Sequence, residues 1–377
     1  MRNSILCALT LILSLFDFAA FACGGGFGQE VTIDPTQKIV ISYHSGEESY
    51  IFKPHFCGRA ADFGLILPVP NALTKNPTLT DTNLVDQLEA IAAPRVETVE
   101  VCSSGGLLGS GSKGASGGAA PDQLARSNDG VDVISQGQVG DFQWQLLKAD
   151  SAQNFTDWLD ANQFPYPASA QAAFDHYVQA GWYFVAFSVA ASDTAPPAGY
   201  RLCGDFGPIQ LSFQSSPAVI PARIATAGDT QSTFYWRLFT VSSYEMMASA
   251  SPNSAQATQT LQFAGALSAD DISQQSSIAK LAKAGDWLTE LDLSFYAPTL
   301  SQDIWVDPSP SNSPYRRTIY VEKEVDCGVF GCSIKGHLGR KDWGFAGAFA
   351  AMGVALAVVG RRWRYRSHTH SKRASRG

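Results

Sequence analysis

Trp182 to Val189 reads WYFVAFSV, a run in which only Ser188 is polar. A stretch this short, rich in aromatic and β-branched side chains, is strand rather than helix. Because the apolar residues do not alternate with polar ones, both faces must be covered, which places the strand centrally in a buried sheet. The neighbouring sequence supplies the cover. Phe155, Trp158 and Leu159 stand at i, i+3, i+4, and Phe174, Tyr177 and Val178 repeat that spacing after the break at Pro165-Tyr166-Pro167. Two short amphipathic helices follow from that pattern. Their aromatic stripes could form a ligand platform, but packing against a sheet is the preferred reading.

Further out, Phe142 to Leu147 reads as another strand. Lys38 to Tyr43 (KIVISY) and Ser49 to Phe56 (SYIFKPHF) form a hairpin around Gly46. Phe63 to Leu67 is a short apolar strand expected to stop at Pro68-Val69-Pro70, since proline cannot donate to a ladder. Leu84, Leu88 and Ile91 mark a helix capped by Asp81 or Thr82, and Arg95 to Cys102 alternates as a strand. Strands are expected again at Ile209 to Phe213, Thr233 to Val241, Leu261 to Phe263, Leu291 to Tyr296 and Arg317 to Val325, with a polar helix near Asp270 to Ala284. The sum is an α+β domain with a mainly antiparallel sheet packed with a few helices. Ser103 to Ala120 (SSGGLLGSGSKGASGGAA) is too poor in large apolar groups to pack and reads as a flexible insert. Its Gly109, Gly111 and Gly114 match G-x-G-x-x-G without the strand and helix that would make a nucleotide site.

The two ends address a membrane. Arg2, the apolar run Ile5 to Phe16 and Ala20-Phe21-Ala22 form an export signal over residues 1–22, with cleavage before Cys23. Lipid attachment at Cys23 is the alternative, although Ala20 and Phe21 depart from a lipobox. Trp343 to Gly360 (WGFAGAFAAMGVALAVVG) carries no charge, and Arg361, Arg362, Arg364 and Arg366 follow at once. Those residues make about 27 Å of helix against a hydrocarbon core of roughly 30 Å. Trp343, Trp363 and Tyr365 suit the interfacial belts, and the arginines hold residues 361–377 on the cytoplasmic side, leaving the N-terminus extracytoplasmic. Gly331-Cys332-Ser333 resembles the cysteine-containing part of a C-terminal sorting signal, in which such a helix is removed. The tail here continues to Gly377.

The formal charge of −7 conceals a split, because the tail holds seven bases and no acid. Between Cys23 and Gly360, 19 bases face 33 acids, a net of −14. Such an acidic ectodomain argues against nucleic acid as a partner. Six cysteines remain after the signal: Cys23, Cys57, Cys102, Cys203, Cys327 and Cys332. Outside the reducing cytoplasm they are disulfide candidates, with Cys327 and Cys332 a local pair and the pairing of Cys57, Cys102 and Cys203 open. No C-x-x-C occurs, so no metal site is expected.

Cys23-Gly24-Gly25, the strand Lys38 to Tyr43, and Asp62-Phe63-Gly64-Leu65-Ile66-Leu67-Pro68-Val69-Pro70 together resemble the opening of the bacterial domain-of-unknown-function family 2330. Trp158-Leu159 and Tyr177 to Phe187 resemble that family's second block. The likeness spans roughly Cys23 to Asp326, with Cys57 and Cys203 as departures. It implies a secreted or membrane-anchored bacterial protein and supplies no catalytic residues.

For chemistry the ectodomain offers His44, His55 and His176. His55 and Cys57 share a strand face, so a thiol and imidazole pair is geometrically open, but a disulfide at Cys57 is preferred. No G-x-S-x-G or H-E-x-x-H motif appears. The expected protein is therefore an α+β ectodomain (residues 23–326), a cysteine-containing linker (327–342), one membrane helix (343–360) and a basic tail (361–377). Its expected role is non-catalytic, in envelope binding or structure, without cofactor. A protein or glycan partner is sought at exposed aromatics near Pro68 to Pro70 or Tyr166. The alternative is an envelope hydrolase using His55 or His176 with an acidic partner.

Overall fold

The computed structural model describes residues 25–27, 36–58, 63–102, 130–189, 202–205, 207–227, 233–249, 257–325 and 364–365. The export signal, the insert at 103–120, Cys23, Cys327, Cys332, Trp343, Gly360, Arg361 and Arg362 lie outside these residues. The chain divides into two compact units, one of Met1–Ala93 with Gly114–Arg316 and the other of Pro94–Lys113 with Arg317–Gly377.

In the larger unit the first strands are β1 (Gly25–Phe27), β2 (Thr36–His44), β3 (Glu47–Phe52), β4 (His55–Gly58), β5 (Gly64–Val69) and β6 (Leu73–Leu79), followed by α1 (Leu84–Ala92). In the smaller unit β7 is Arg95–Cys102. The larger unit resumes with β8 (Val131–Val139), β9 (Phe142–Ala149), α2 (Ala152–Ala161), α3 (Gln171–Gln179) and β10 (Tyr183–Val189). It continues through β11 (Leu202–Asp205), β12 (Ile209–Gln214), β13 (Ala218–Ile220), a short 3₁₀ helix (Ala222–Ala227), β14 (Thr233–Ser242), β15 (Met246–Ser249) and β16 (Ala257–Ala266). Last come α4 (Ala269–Gln274), β17 (Trp287–Tyr296), β18 (Ile304–Pro308) and β19 (Tyr315–Arg316).

Two large sheets result, one ordered β1-β5-β10-β9-β8 and the other β19-β16-β17-β14-β2-β3-β12-β6. They pack face to face. Leu65, Leu67, Val185 and Phe187 of the first share a core with Ile39, Ile41, Tyr50, Phe52, Trp236 and Leu293 of the second. The rings of Phe52 and Phe187 meet across the layers at 6.0 Å, edge to face. Period-two alternation sends the intervening residues outward. Ile66, Leu147, Phe184 and Ala186 meet Phe155, Trp158, Leu159, Phe174 and Tyr177 of α2 and α3. On the far side of the second sheet, Val40, Ile51 and Phe239 meet Leu84 and Leu88 of α1. The order is helix, sheet, sheet, helix, so the central strands are apolar on both faces. That explains WYFVAFSV: β10 lies between β5 and β9, and its residues 184–187 are buried. The aromatic stripes of α2 and α3 are core, with Phe155 stacked on Phe184 at 4.0 Å. Each such side chain contributes roughly 1.5–3 kcal/mol on burial.

Local chemistry sets the connections. Ser45 and Gly46, at φ 53° and 81°, join β2 to β3 by the two-residue turn whose twist matches the strands. The Ser151 hydroxyl caps α2 by accepting from the Asn154 N–H at 3.1 Å. Asp81 accepts from the Asn83 N–H at 2.9 Å just before α1. That contact lowers the pKa of Asp81.

Several expectations are revised. Ser49 to Phe56 is two strands, because Pro54 cannot continue the ladder. The strand from Phe63 does not stop at Pro68. β5 runs to Val69, and Pro68 pairs opposite Phe184 while β1 reaches only Gly64 to Ile66, so one flank of Pro68 lies beyond the β1 ladder. The polar helix at 270–284 contracts to α4, held by a capping box between Ser268 and Asp271. The pairing is mainly antiparallel, but β2 and β14 are parallel.

In the smaller unit β7 is parallel to β20 (Thr318–Val325) from Arg95 opposite Thr318 to Cys102 opposite Val325, with Lys323 and Glu100 paired at 2.8 Å. Arg364 and Tyr365, β21, lie antiparallel to Glu322 and Val321.

Candidate functional site

Two histidines approach buried carboxylates. His176 and Tyr177 sit on α3, Arg223 on the 3₁₀ turn after β13, and Asp303 just before β18. The Tyr177 hydroxyl donates to Asp303 Oδ1 at 2.6 Å, and the Arg223 backbone N–H donates to the same oxygen at 2.9 Å. The Ile224 N–H in turn donates to the Tyr177 oxygen at 3.1 Å. His176 Nε2 lies 3.7 Å from Asp303 Oδ2, too long for a hydrogen bond. Arg223 Nη1 stands 3.2 Å from His176 Nδ1 and donates to the Ser301 carbonyl at 2.7 Å. Because guanidinium has no acceptor, Nδ1 must accept, which leaves the ring proton of neutral His176 on Nε2, facing Asp303. In that arrangement the Nδ1 lone pair is engaged by Arg223. Burial, then the Asp303 charge, pushes the Tyr177 pKa well above its ordinary value, keeping it a hydrogen-bond donor.

The second approach was not foreseen from the sequence. Ser42 and His44 share one face of β2, and Asp286 precedes β17. His44 Nε2 is 3.0 Å from Asp286 Oδ2, and Ser42 Oγ is 3.3 Å from His44 Nδ1. The three lie in a hydroxyl, imidazole, carboxylate line of the kind that activates a serine. The proton is directed elsewhere, however: Ser42 Oγ donates to the Leu281 carbonyl at the shorter distance of 2.9 Å, and Ser42 is buried. Asp286 also accepts from the Lys283 N–H at 2.9 Å. The cluster fastens the 281–286 loop to the end of β2.

A third ionisable group is buried outright. Glu48 on β3 is 0 % exposed, and its Oε2 accepts from the Val219 N–H at 2.9 Å. Burial raises its pKa to about 8, against the lowering effect of Val219 and the Ser215 hydroxyl. Glu48 went unread because Gly46-Glu47-Glu48-Ser49 has the composition of a turn, yet Glu48 is already inside the ladder, opposite Tyr43 and Phe213.

The cysteine candidates divide between the units. Cys102 closes β7, opposite Val325. β4 and β11 form a separate two-stranded antiparallel ribbon in which Cys57 lies opposite Cys203 and His55 opposite Asp205. Of the segment Pro68 to Pro70, Pro68 and Val69 are buried in β5 and Pro70 is half-buried. Tyr166 is half-buried, its hydroxyl donating to Asp160 at 3.1 Å and its ring edge-on to Phe174. Among the described residues no three or more His, Cys, Asp and Glu side chains converge as metal ligands.

A family model for an uncharacterised protein conserved in bacteria, DUF2330, matches residues 18–306. No curated protein and no solved structure matches the chain.

Proposed function

The chain belongs to the bacterial DUF2330 family, and we propose that it acts as an exported, membrane-anchored module of the envelope that binds or supports rather than catalyses. One observation carries the non-catalytic reading: the groups that could do acid and base work at His176 are already engaged. Asp303 Oδ1 receives Tyr177 and Arg223, and His176 Nδ1 receives Arg223. Such a network fixes the position of a loop. The partner is an envelope protein or glycan.

Export and anchoring rest on residues 1–22 and on the charge-free stretch 343–360 before the arginines. No helix among the described residues is long and apolar enough to cross a membrane. A bilayer-spanning 343–360 and the pairing of Arg364 with Glu322 exclude each other, since the span would separate those strands by the thickness of the membrane. In the anchored protein β21 therefore leaves β20. Alkaline carbonate extraction of host membranes tests the anchor: the full chain stays in the pellet and a chain ending at residue 342 goes to the supernatant. Release of both by carbonate refutes it.

A hydrolase reading different from the one expected at His55 or His176 has one supporting observation, the 3.0 Å and 3.3 Å contacts of Ser42, His44 and Asp286. A fluorophosphonate probe tests it. Labelling at Ser42 that is lost in Ser42→Ala establishes the serine reading, and an unlabelled, folded protein refutes it.

A further inference from the structure

β3 and β12 are neighbours in the larger sheet, with Phe52 opposite Ile209. Past that rung both chains carry a proline, Pro54 on one side and Pro208 on the other. Neither can donate to a ladder, and the β3–β12 pairing ends there. The two segments then pair again, as β4 with β11, and among the described residues with no other strand. The rungs run His55 opposite Asp205, Phe56 opposite Gly204, Cys57 opposite Cys203 and Gly58 opposite Leu202.

An isolated two-stranded ribbon is marginal in water, because it has neither flanking strand nor a second layer to bury. This one contains two glycines among eight residues, which weakens it further. A covalent rung would supply what the ladder lacks. Directly opposed residues of an antiparallel pair have Cα atoms about 4.5–5.5 Å apart, inside the span of roughly 4.4–6.8 Å that a disulfide bridges. We propose that Cys57 and Cys203 form a cross-strand disulfide that locks the β4–β11 ribbon onto the end of the β3–β12 pair. This selects one partner for each of two cysteines whose pairing the sequence left open.

Two thiols lose two protons and two electrons as the sulfur–sulfur bond forms, and the electrons pass to a thiol oxidase of the envelope through its own disulfide. The oxidant thus rests on the export reading. The same four register positions, two cysteines, a histidine and an aspartate on one ribbon face, form the competing possibility of a zinc site in the reduced protein.

The test is a non-reducing peptide map of the purified full chain after equilibration in a mixed oxidised and reduced glutathione buffer, which judges the pairing wherever the cell places the protein. A peptide pair joining Cys57 to Cys203 is the expected result, and it disappears on reduction. In denatured, unreduced Cys57→Ser, Cys203 should then take one maleimide that it does not take in the parent chain. Linkage of Cys57 to any other cysteine, or labelling of both in the parent, overturns the proposal. So does a protein isolated with one zinc whose two thiols become reactive only after chelation. A retained export signal in the N-terminal mass would defeat the export reading while leaving this map to decide the bond.

Discussion

Glu48→Gln tests whether a carboxyl sealed between two β-layers behaves as its burial requires. In the folded protein its pKa is about 8, against 4.5 for an unperturbed glutamate. The raised value means that the folded state holds this proton more tightly than the unfolded state. The favourable contribution is therefore complete below pH 4.5 and is lost as pH rises through the folded value near 8. At about 1.36 kcal/mol per unit, the difference between the two values corresponds to a loss of about 5 kcal/mol across that window. Glutamine keeps an oxygen to accept the Val219 N–H and has no proton to lose. Urea unfolding followed by tryptophan fluorescence, at five pH values from 5 to 9, reads the difference between the two proteins, and groups common to both cancel. Near pH 5 the variant should match the parent to within about 1 kcal/mol, and by pH 9 it should exceed it by roughly 4. Parallel stability curves across that range would show that Glu48 titrates normally and would refute the reasoning.

Tyr177→Phe removes the 2.6 Å donor from Asp303 and leaves the buried carboxylate with the Arg223 N–H; a loss of about 1–3 kcal/mol in unfolding free energy is expected, and an unchanged urea midpoint would count against the network. Phe155→Ala deletes a side chain stacked on Phe184 and edge-on to Phe174, so about 3–5 kcal/mol should go, measured by the same unfolding curves; a loss under 1 kcal/mol would mean that α2 does not pack as described.

The core was readable from side-chain pattern wherever a strand or helix buried a complete face. WYFVAFSV, KIVISY and the paired i, i+3, i+4 aromatics specify β10, β2, α2 and α3, because apolar spacing and secondary-structure period coincide there. β6 and β8 were not readable. Leu73–Leu79 (LTKNPTL) and Val131–Val139 (VDVISQGQV) are edge strands of the two sheets, largely exposed, and their polar composition follows from having little to bury. The short strands β13, β15 and β18 form a separate sheet whose existence depends on pairings distant in sequence, such as Ala218 with Val306. The ionisable clusters were hidden for the same reason. Nothing local joins His44 to Asp286 or Tyr177 to Asp303, so only the fold reveals that these acids are paired and that Arg223 meets the His176 ring.

The layering bears on where function can reside. Each large sheet is enclosed on one side by the other sheet and on the other by helices, so their central strands present apolar faces to protein alone. A recognition surface on such a scaffold has to come from loops, edges or elements that leave the stack. The β4–β11 ribbon is a candidate for such an element: it continues the β3–β12 pair past Pro54 and Pro208 and carries Cys57 opposite Cys203. In an exported protein a covalent rung there would make the ribbon rigid, and ordering a binding surface in advance lowers the entropic cost of holding a partner. If the ribbon is the contact, opening the Cys57–Cys203 bond should weaken partner binding while the unfolding midpoint of the enclosed layers changes less. If the bond serves stability alone, the two should fall together.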